Sequence, residues 1–206
     1  MKKIPMIVAL GLVGVLSLLG NTAQAMERYI AGVHYKIVAP EPSKTATPHV
    51  LNFFSYACPH CYHLEPQVAK WKQTLKPSVS FDRVPAQWNA FFTDMAKFYY
   101  TLDLMKVEEQ HSDTIFDVIH KKKRSLHTPG GIVAFVPSLG VDKGKFETIF
   151  KSADVEKKMR EGKGLLAKYK VPGVPSFVIN GRYFVNVSMA GSVEELFSVM
   201  DFLLDK

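Results

Sequence analysis

The sequence predicts an α/β domain interrupted by an all-helical insertion, and three features of its pattern predict it. Strand-like runs lie on both sides of a long middle segment. In that middle segment the apolar residues recur mostly with helical period. After it, Asn180-Gly181 stands between two short β-rich runs, a strong two-residue hairpin signal. The outline is strand, helix, strand, helical block, hairpin, helix.

Taken in order, Tyr35 to Val38 is expected to form a short edge strand, followed by a loop rich in Pro, Ser and Thr (Pro40, Pro42, Ser43, Thr45, Thr47, Pro48). Val50 to Ser55 is a short, mostly apolar run, as expected of a strand buried on both faces. A helix should follow from Pro59 to Leu75, with Leu64, Val68, Trp71 and Leu75 at helical spacing. Pro66 lies inside it and removes a hydrogen bond, which predicts a kink. Val79 to Val84 reads as a second strand with alternating faces.

From Asn89 to Tyr169 strand candidates disappear. Phe91, Met95, Phe98, Tyr99 and Leu102 suggest one helix, and Ile115, Phe116 and Ile119 another. Shorter pieces fit Ile132 to Phe135 and Lys145 to Phe150, with Asp142 as N-cap of the latter. Ser152 caps a longer helix reaching Tyr169, which Gly162 and Gly164 weaken. Strands return at Ser176 to Ile179 and Tyr183 to Val185. Ser192-Val193-Glu194-Glu195 is a capping box opening a last helix to Leu204. The expected bounds are 26–86 and 166–206 for the two parts of the α/β domain, and 87–165 for the insertion.

Residues 1–25 read as a cleaved secretory signal peptide. Lys2 and Lys3 are basic, Ile7 to Leu19 is apolar, and Ala23-Gln24-Ala25 is a small-x-small cleavage site. The apolar run falls short of the ~20 residues that a spanning helix needs. Met26 to Lys206 would remain, enough for one well-buried domain. Removing two lysines lowers the formal net charge from +7 to about +5. Lys121-Lys122-Lys123-Arg124 reads as a solvated helix end or loop, so no nucleic-acid partner is expected. Export places the chain where disulfides persist.

Its only two cysteines are in Cys58-Pro59-His60-Cys61. So short a loop constrains the unfolded chain weakly, which makes the pair a poor staple and a sensible redox site. With Cys58 at the start of the helix, Pro59 suits the first helical turn, while free amides and the helix dipole favour a Cys58 thiolate. His60 adds a donor and, at lower pH, a charge. A dithiol stabilised when reduced makes its disulfide a strong oxidant. A zinc knuckle on Cys58, Cys61 and His60 or His63 is disfavoured, because no second CxxC or HxxxH accompanies it. No metal or other cofactor is expected beyond the redox-active disulfide itself.

The segment Phe53-Phe54-Ser55-Tyr56-Ala57-Cys58-Pro59-His60-Cys61-Tyr62 resembles the active site of the DsbA family of periplasmic thiol oxidases, in the thioredoxin superfamily. Val171-Pro-Gly-Val-Pro-Ser-Phe-Val-Ile-Asn-Gly181 is similar to the family's loop containing a cis-proline that faces the disulfide. Pro66 fits the helix kink common in the superfamily, and element order agrees over nearly the whole mature chain. The resemblance implies a thioredoxin-like fold with an inserted all-helical subdomain. It implies Cys58 as the attacked, surface-facing sulfur and Cys61 as the resolving one. Pro175 would be the cis-proline, and Val174-Pro175 a surface for extended substrate. Val174 is closer to the oxidases than to the related isomerases, which tend to carry Thr there.

The function implied is a periplasmic thiol:disulfide oxidoreductase that donates its disulfide to unfolded exported proteins with free thiols. A DsbB-type membrane quinone reductase would reoxidise it, and the short segment before the first core strand argues for a monomer. Two alternatives stand beside it: an isomerase or reductase, and a peptide-binding chaperone with incidental redox activity. One departure is visible. Where the superfamily commonly has a buried Asp or Glu beneath the disulfide, this chain has Asn52, which cannot titrate. Arg83, on the neighbouring strand, is expected to reach solvent.

Overall fold

The computed structural model describes residues 27–40, 47–124 and 126–206. The proposed signal peptide and part of the Pro/Ser/Thr-rich loop lie outside them. Five strands form one sheet: β1 (Lys36–Ile37), β2 (His49–Phe54), β3 (Ser80–Pro85), β4 (Ser176–Ile179) and β5 (Tyr183–Val185), in the order β1-β5-β4-β2-β3. The β2–β3 pair is parallel and is joined by α1 (Pro59–Lys72), while the other pairings are antiparallel. Central β2 is buried on both faces, which is why its sequence does not alternate. Asn180 and Gly181 carry the β4–β5 turn with φ of 53° and 64°. Two positive φ values are what a type I′ hairpin requires.

Between β3 and β4 the described residues form helices and no strand. They are α2 (Ala90–Leu104), α3 (Glu108–His120), α4 (Pro129–Phe135), a 3₁₀ turn (Val136–Leu139), α5 (Lys143–Phe150) and α6 (Ala153–Lys168). Asn89, Asp142 and Ser152 each cap a helix N-terminus by accepting a backbone N–H. Gly162 does not break α6. A side chain there would collide with the Tyr100 hydroxyl of α2, so the glycine permits close packing of the two helices. Two further helices follow β5: the single turn α7 (Val187–Ala190), which the sequence reading missed, and α8 (Val193–Leu204), capped by Ser192.

Alternate residues of β2 serve different cores. Val50 packs with Leu64, Val68 and Trp71 of α1 and with the apolar face of α8. Leu51 and Phe53 pack on the opposite face against Leu166, Tyr169 and Val178. At the end of the strand, Phe54 joins a third core made mostly by the helical block, and so do Tyr56, Cys58 and Cys61. The two cysteines therefore lie where the sheet meets the helical block.

Candidate active site

Cys58 is the N-cap of α1, with φ −94° and ψ 116°, and Pro59 occupies the first turn. The Cys61 N–H donates to Cys58 Sγ at 3.3 Å. Before the helix, the Cys58 N–H donates to Ser55 O at 3.0 Å and the Ala57 N–H to Ser55 Oγ at 3.1 Å, forming a tight turn. Both cysteines are free thiols. Cys58 is 6% exposed and Cys61 3%, so Cys58 is less open than a surface-facing sulfur, though it is the more accessible of the two.

The two sulfurs differ sharply in acidity. Cys58 is brought down to about 6, chiefly by its hydrogen bond with Cys61. Burial opposes this, while the backbone N–H groups of Cys61 and His60 and the charge on His60 add to it. Cys61 is pushed far up, first by burial and then by the Cys58 bond and charge. Near neutral pH the pair is therefore a thiolate at Cys58 beside a protonated Cys61.

Pro175 follows a cis peptide bond from Val174. The Val174 carbonyl oxygen lies 3.5 Å from Cys58 Sγ, across 116 residues of sequence, and accepts from it when the thiol is protonated. His60, Leu64, Val174, Pro175, Val187 and Val193 line a largely apolar cleft of about 390 Å³ beside this contact. Pro59, His60, Cys58, Cys61, Val174 and Pro175 are thus brought to one place.

Arg83 does not reach solvent. Its side chain is 11% exposed, paired with Glu65 at 2.8 Å and Glu108 at 3.5 Å, and bonded to Ser112 Oγ at 3.1 Å. Its guanidinium lies 3.7 Å from the centre of the Phe54 ring. Glu108 also accepts a hydrogen bond from the buried Tyr56 hydroxyl. Arg83, Glu65, Glu108 and Ser112 contribute to the lining of a larger cleft of about 710 Å³. Burial raises Glu65, and Arg83 offsets part of that shift. Asn52 is buried and in register with Arg83 on β3. Of this network Arg83 acts on Cys61, tending to lower its pKa, while the side chain at position 52 is neutral.

On the other side, α3 grips both flanks of the motif. His120 Nε2 lies 2.8 Å from Tyr56 O, and because a carbonyl only accepts, the ring must donate. The Tyr62 ring stacks on His120 at 5.0 Å and 14°, and its hydroxyl donates to Asp117 at 3.0 Å. Sequence reasoning singled out neither Glu65 and Glu108 nor Tyr62, Asp117 and His120 as site residues. Glu65 carried a signal, since it stands four residues after Cys61 on the same helix face. The α3 residues carried none, because their partners around the cysteine motif are 52 to 64 positions away.

A thioredoxin fold with a helical insertion and an acidic N-cap thiol paired to a buried second thiol defines a class, the thiol:disulfide oxidoreductases. Comparison with known proteins narrows it. Residues 69–197 match the DSBA-like thioredoxin domain family. Over 192 residues the chain is 36% identical to the thiol:disulfide interchange protein DsbA of Pseudomonas aeruginosa, covering 92% of this chain and 90% of that protein. It is 31% identical to the Burkholderia cepacia protein of the same name, covering 99% and 96%. The crystal structure of Pseudomonas aeruginosa DsbA superposes with a TM-score of 0.81 at 34% identity, covering 86% of this chain and 93% of that one. The chain belongs to the DsbA family and is a thiol:disulfide oxidoreductase.

Proposed function

We propose that the protein is a disulfide donor of the periplasm, working as a monomer on exported proteins that still carry free thiols. A client thiolate attacks Cys58 Sγ of the oxidised pair. The Cys58–Cys61 bond breaks, and its electron pair leaves on Cys61, which takes up a proton. A second client thiolate then attacks the client sulfur of the mixed disulfide and releases Cys58 as a thiolate. The client loses two electrons and two thiol protons, and the protein gains the electrons.

The observation that carries this reading is the acidity of Cys58, brought down to about 6. A low-pKa thiol leaves readily, and a stabilised thiolate favours the reduced protein, so the disulfide is readily given away. Cys61, kept protonated by burial, is unsuited to attack on clients. The apolar cleft beside Val174 and Pro175 gives an extended, unfolded chain a place to lie. A membrane partner of the DsbB type, drawing on quinone, would take the electrons from Cys58 and Cys61. Among the described residues no helix is long and apolar enough to cross a membrane.

The test uses a reduced, unfolded two-thiol substrate. The oxidised protein should form the substrate disulfide stoichiometrically, and faster and repeatedly when quinone-loaded vesicles bearing a DsbB-type protein are added. Cys58→Ala should abolish transfer while keeping peptide binding. Transfer that survives Cys58→Ala defeats the reading. A protein that only reshuffles existing disulfides is instead an isomerase.

A further inference from the structure

The turn that presents Cys58 leaves the Tyr56 carbonyl out of its own hydrogen bonds. Ser55 O takes the Cys58 N–H and Ser55 Oγ takes the Ala57 N–H, while the Tyr56 carbonyl points across to α3. There it meets His120, the last residue of that helix, at 2.8 Å. Tyr56 lies two residues before the first cysteine. Tyr62, directly after the second, stacks nearly parallel on the same ring at 5.0 Å and is held by Asp117, three residues before His120. Asp117 and His120 sit one helical turn apart on one face of α3, so a single rigid element holds both ends of the redox motif. Lys121, next in sequence, adds its pairing to Asp117 at 3.0 Å.

We propose that His120 is a positioning residue for disulfide exchange: its Nε2–H fixes the Tyr56 carbonyl, and thereby the 55–58 turn that sets Cys58 Sγ before the first amides of α1. The physical reason lies in how directional the Cys58 cap is. The thiolate is stabilised by amides aimed at it, with the Cys61 N–H at 3.3 Å, and hydrogen bonds weaken steeply with misalignment. Rotation of the Tyr56–Ala57 peptide would carry Cys58 out of that cradle. Burial holds the His120 ring below its ordinary pKa, opposed by the hydrogen bond to Tyr56 O and helped by the nearby Lys123, so that near neutral pH it is mostly uncharged. A neutral ring has one N–H, and the carbonyl requires it on Nε2. The role also gives the helical block a part in the chemistry, through α3. It rests on the reading of Cys58 as the exchanging sulfur, a matter that the Cys58→Ala transfer assay decides separately.

Two variants of the full-length protein and one spectroscopic measurement test it. His120→Phe keeps a ring to stack on Tyr62 and removes the donor, while His120→Gln offers an amide N–H in its place. Thiolate absorbance is titrated against pH in the reduced proteins. The Cys58 midpoint is expected to rise by about one unit in His120→Phe, a roughly tenfold loss of acidity. It should return to within about threefold of wild type in His120→Gln. An unshifted midpoint in His120→Phe overturns the proposal, and so does a Gln variant as impaired as the Phe one. Ring ¹⁵N chemical shifts of wild-type His120 provide a check that needs no variant to fold. A neutral Nε2–H tautomer is expected, and a neutral Nδ1–H tautomer overturns the assignment.

Discussion

Removing the Cys58 thiol should change how the stability of the reduced protein depends on pH, in a direction that the site dictates. Cys58 is depressed to about 6 in the fold, and an unfolded cysteine titrates near 8.5. A depressed folded pKa contributes stability that is fully present above the unfolded value and is lost as pH falls through about 6. Between those two titrations the thiolate stabilises the folded state by about 1.4 kcal/mol at pH 7, and by under about 0.1 kcal/mol at pH 5. Solvent screening of a group near the surface reduces the first figure to roughly 0.7–1.4 kcal/mol. Urea unfolding of reduced wild type and reduced Cys58→Ala, run at both pH values, should therefore diverge by that amount, with wild type gaining as pH rises. Cys61 titrates far above this window in the folded state and cancels in the comparison. Parallel pH profiles for the two proteins would refute the reasoning, because they would mean that the N-cap does not stabilise a thiolate.

Arg83→Met should cost about 3–5 kcal/mol in urea unfolding, since it strands Glu65 and Glu108 in a closed site. A loss below about 1 kcal/mol would mean that the network is solvated. Gly162→Ala should cost about 1–3 kcal/mol by forcing α6 away from the Tyr100 hydroxyl, and Tyr100→Phe in the same chain should recover most of it. Equal stability of the single and double variants would contradict the packing argument. Asn52→Asp places a carboxyl in a buried position, so its pKa should be raised by desolvation. Resolution of the mixed disulfide by Cys61 should then become more pH-dependent, and an unchanged stopped-flow profile would count against a role for this position in proton handling.

The parts of the fold legible in the sequence were those written in local pattern. The apolar run of β2, the Asn180-Gly181 hairpin and the caps at Asp142, Ser152 and Ser192 each announce an element within a few residues. Position 162 was read from propensity alone, which scores glycine as a weakness. Its reason is a neighbouring helix, which propensity cannot see. The α1 end fell at Lys72 rather than Leu75, an ordinary fraying of boundaries. At the site, Cys58 and Cys61 were legible because their chemistry is carried by residue type and spacing, whereas the role of the Val174-Pro175 loop came only from the family resemblance. Arg83 was misread because a strand's solvent-facing positions look alike in sequence. Only the tertiary contact with α1 and α3 shows that the space beside this one is filled by Glu65 and Glu108.

The central claim is that the arrangement around Cys58 stabilises the reduced dithiol and so makes the disulfide a donor. It is tested most directly by the equilibrium of the Cys58–Cys61 pair with glutathione buffers at pH 7. The account predicts a potential above about −180 mV, more oxidising than protein disulfide isomerase. A potential near −270 mV, where thioredoxin lies, would contradict it.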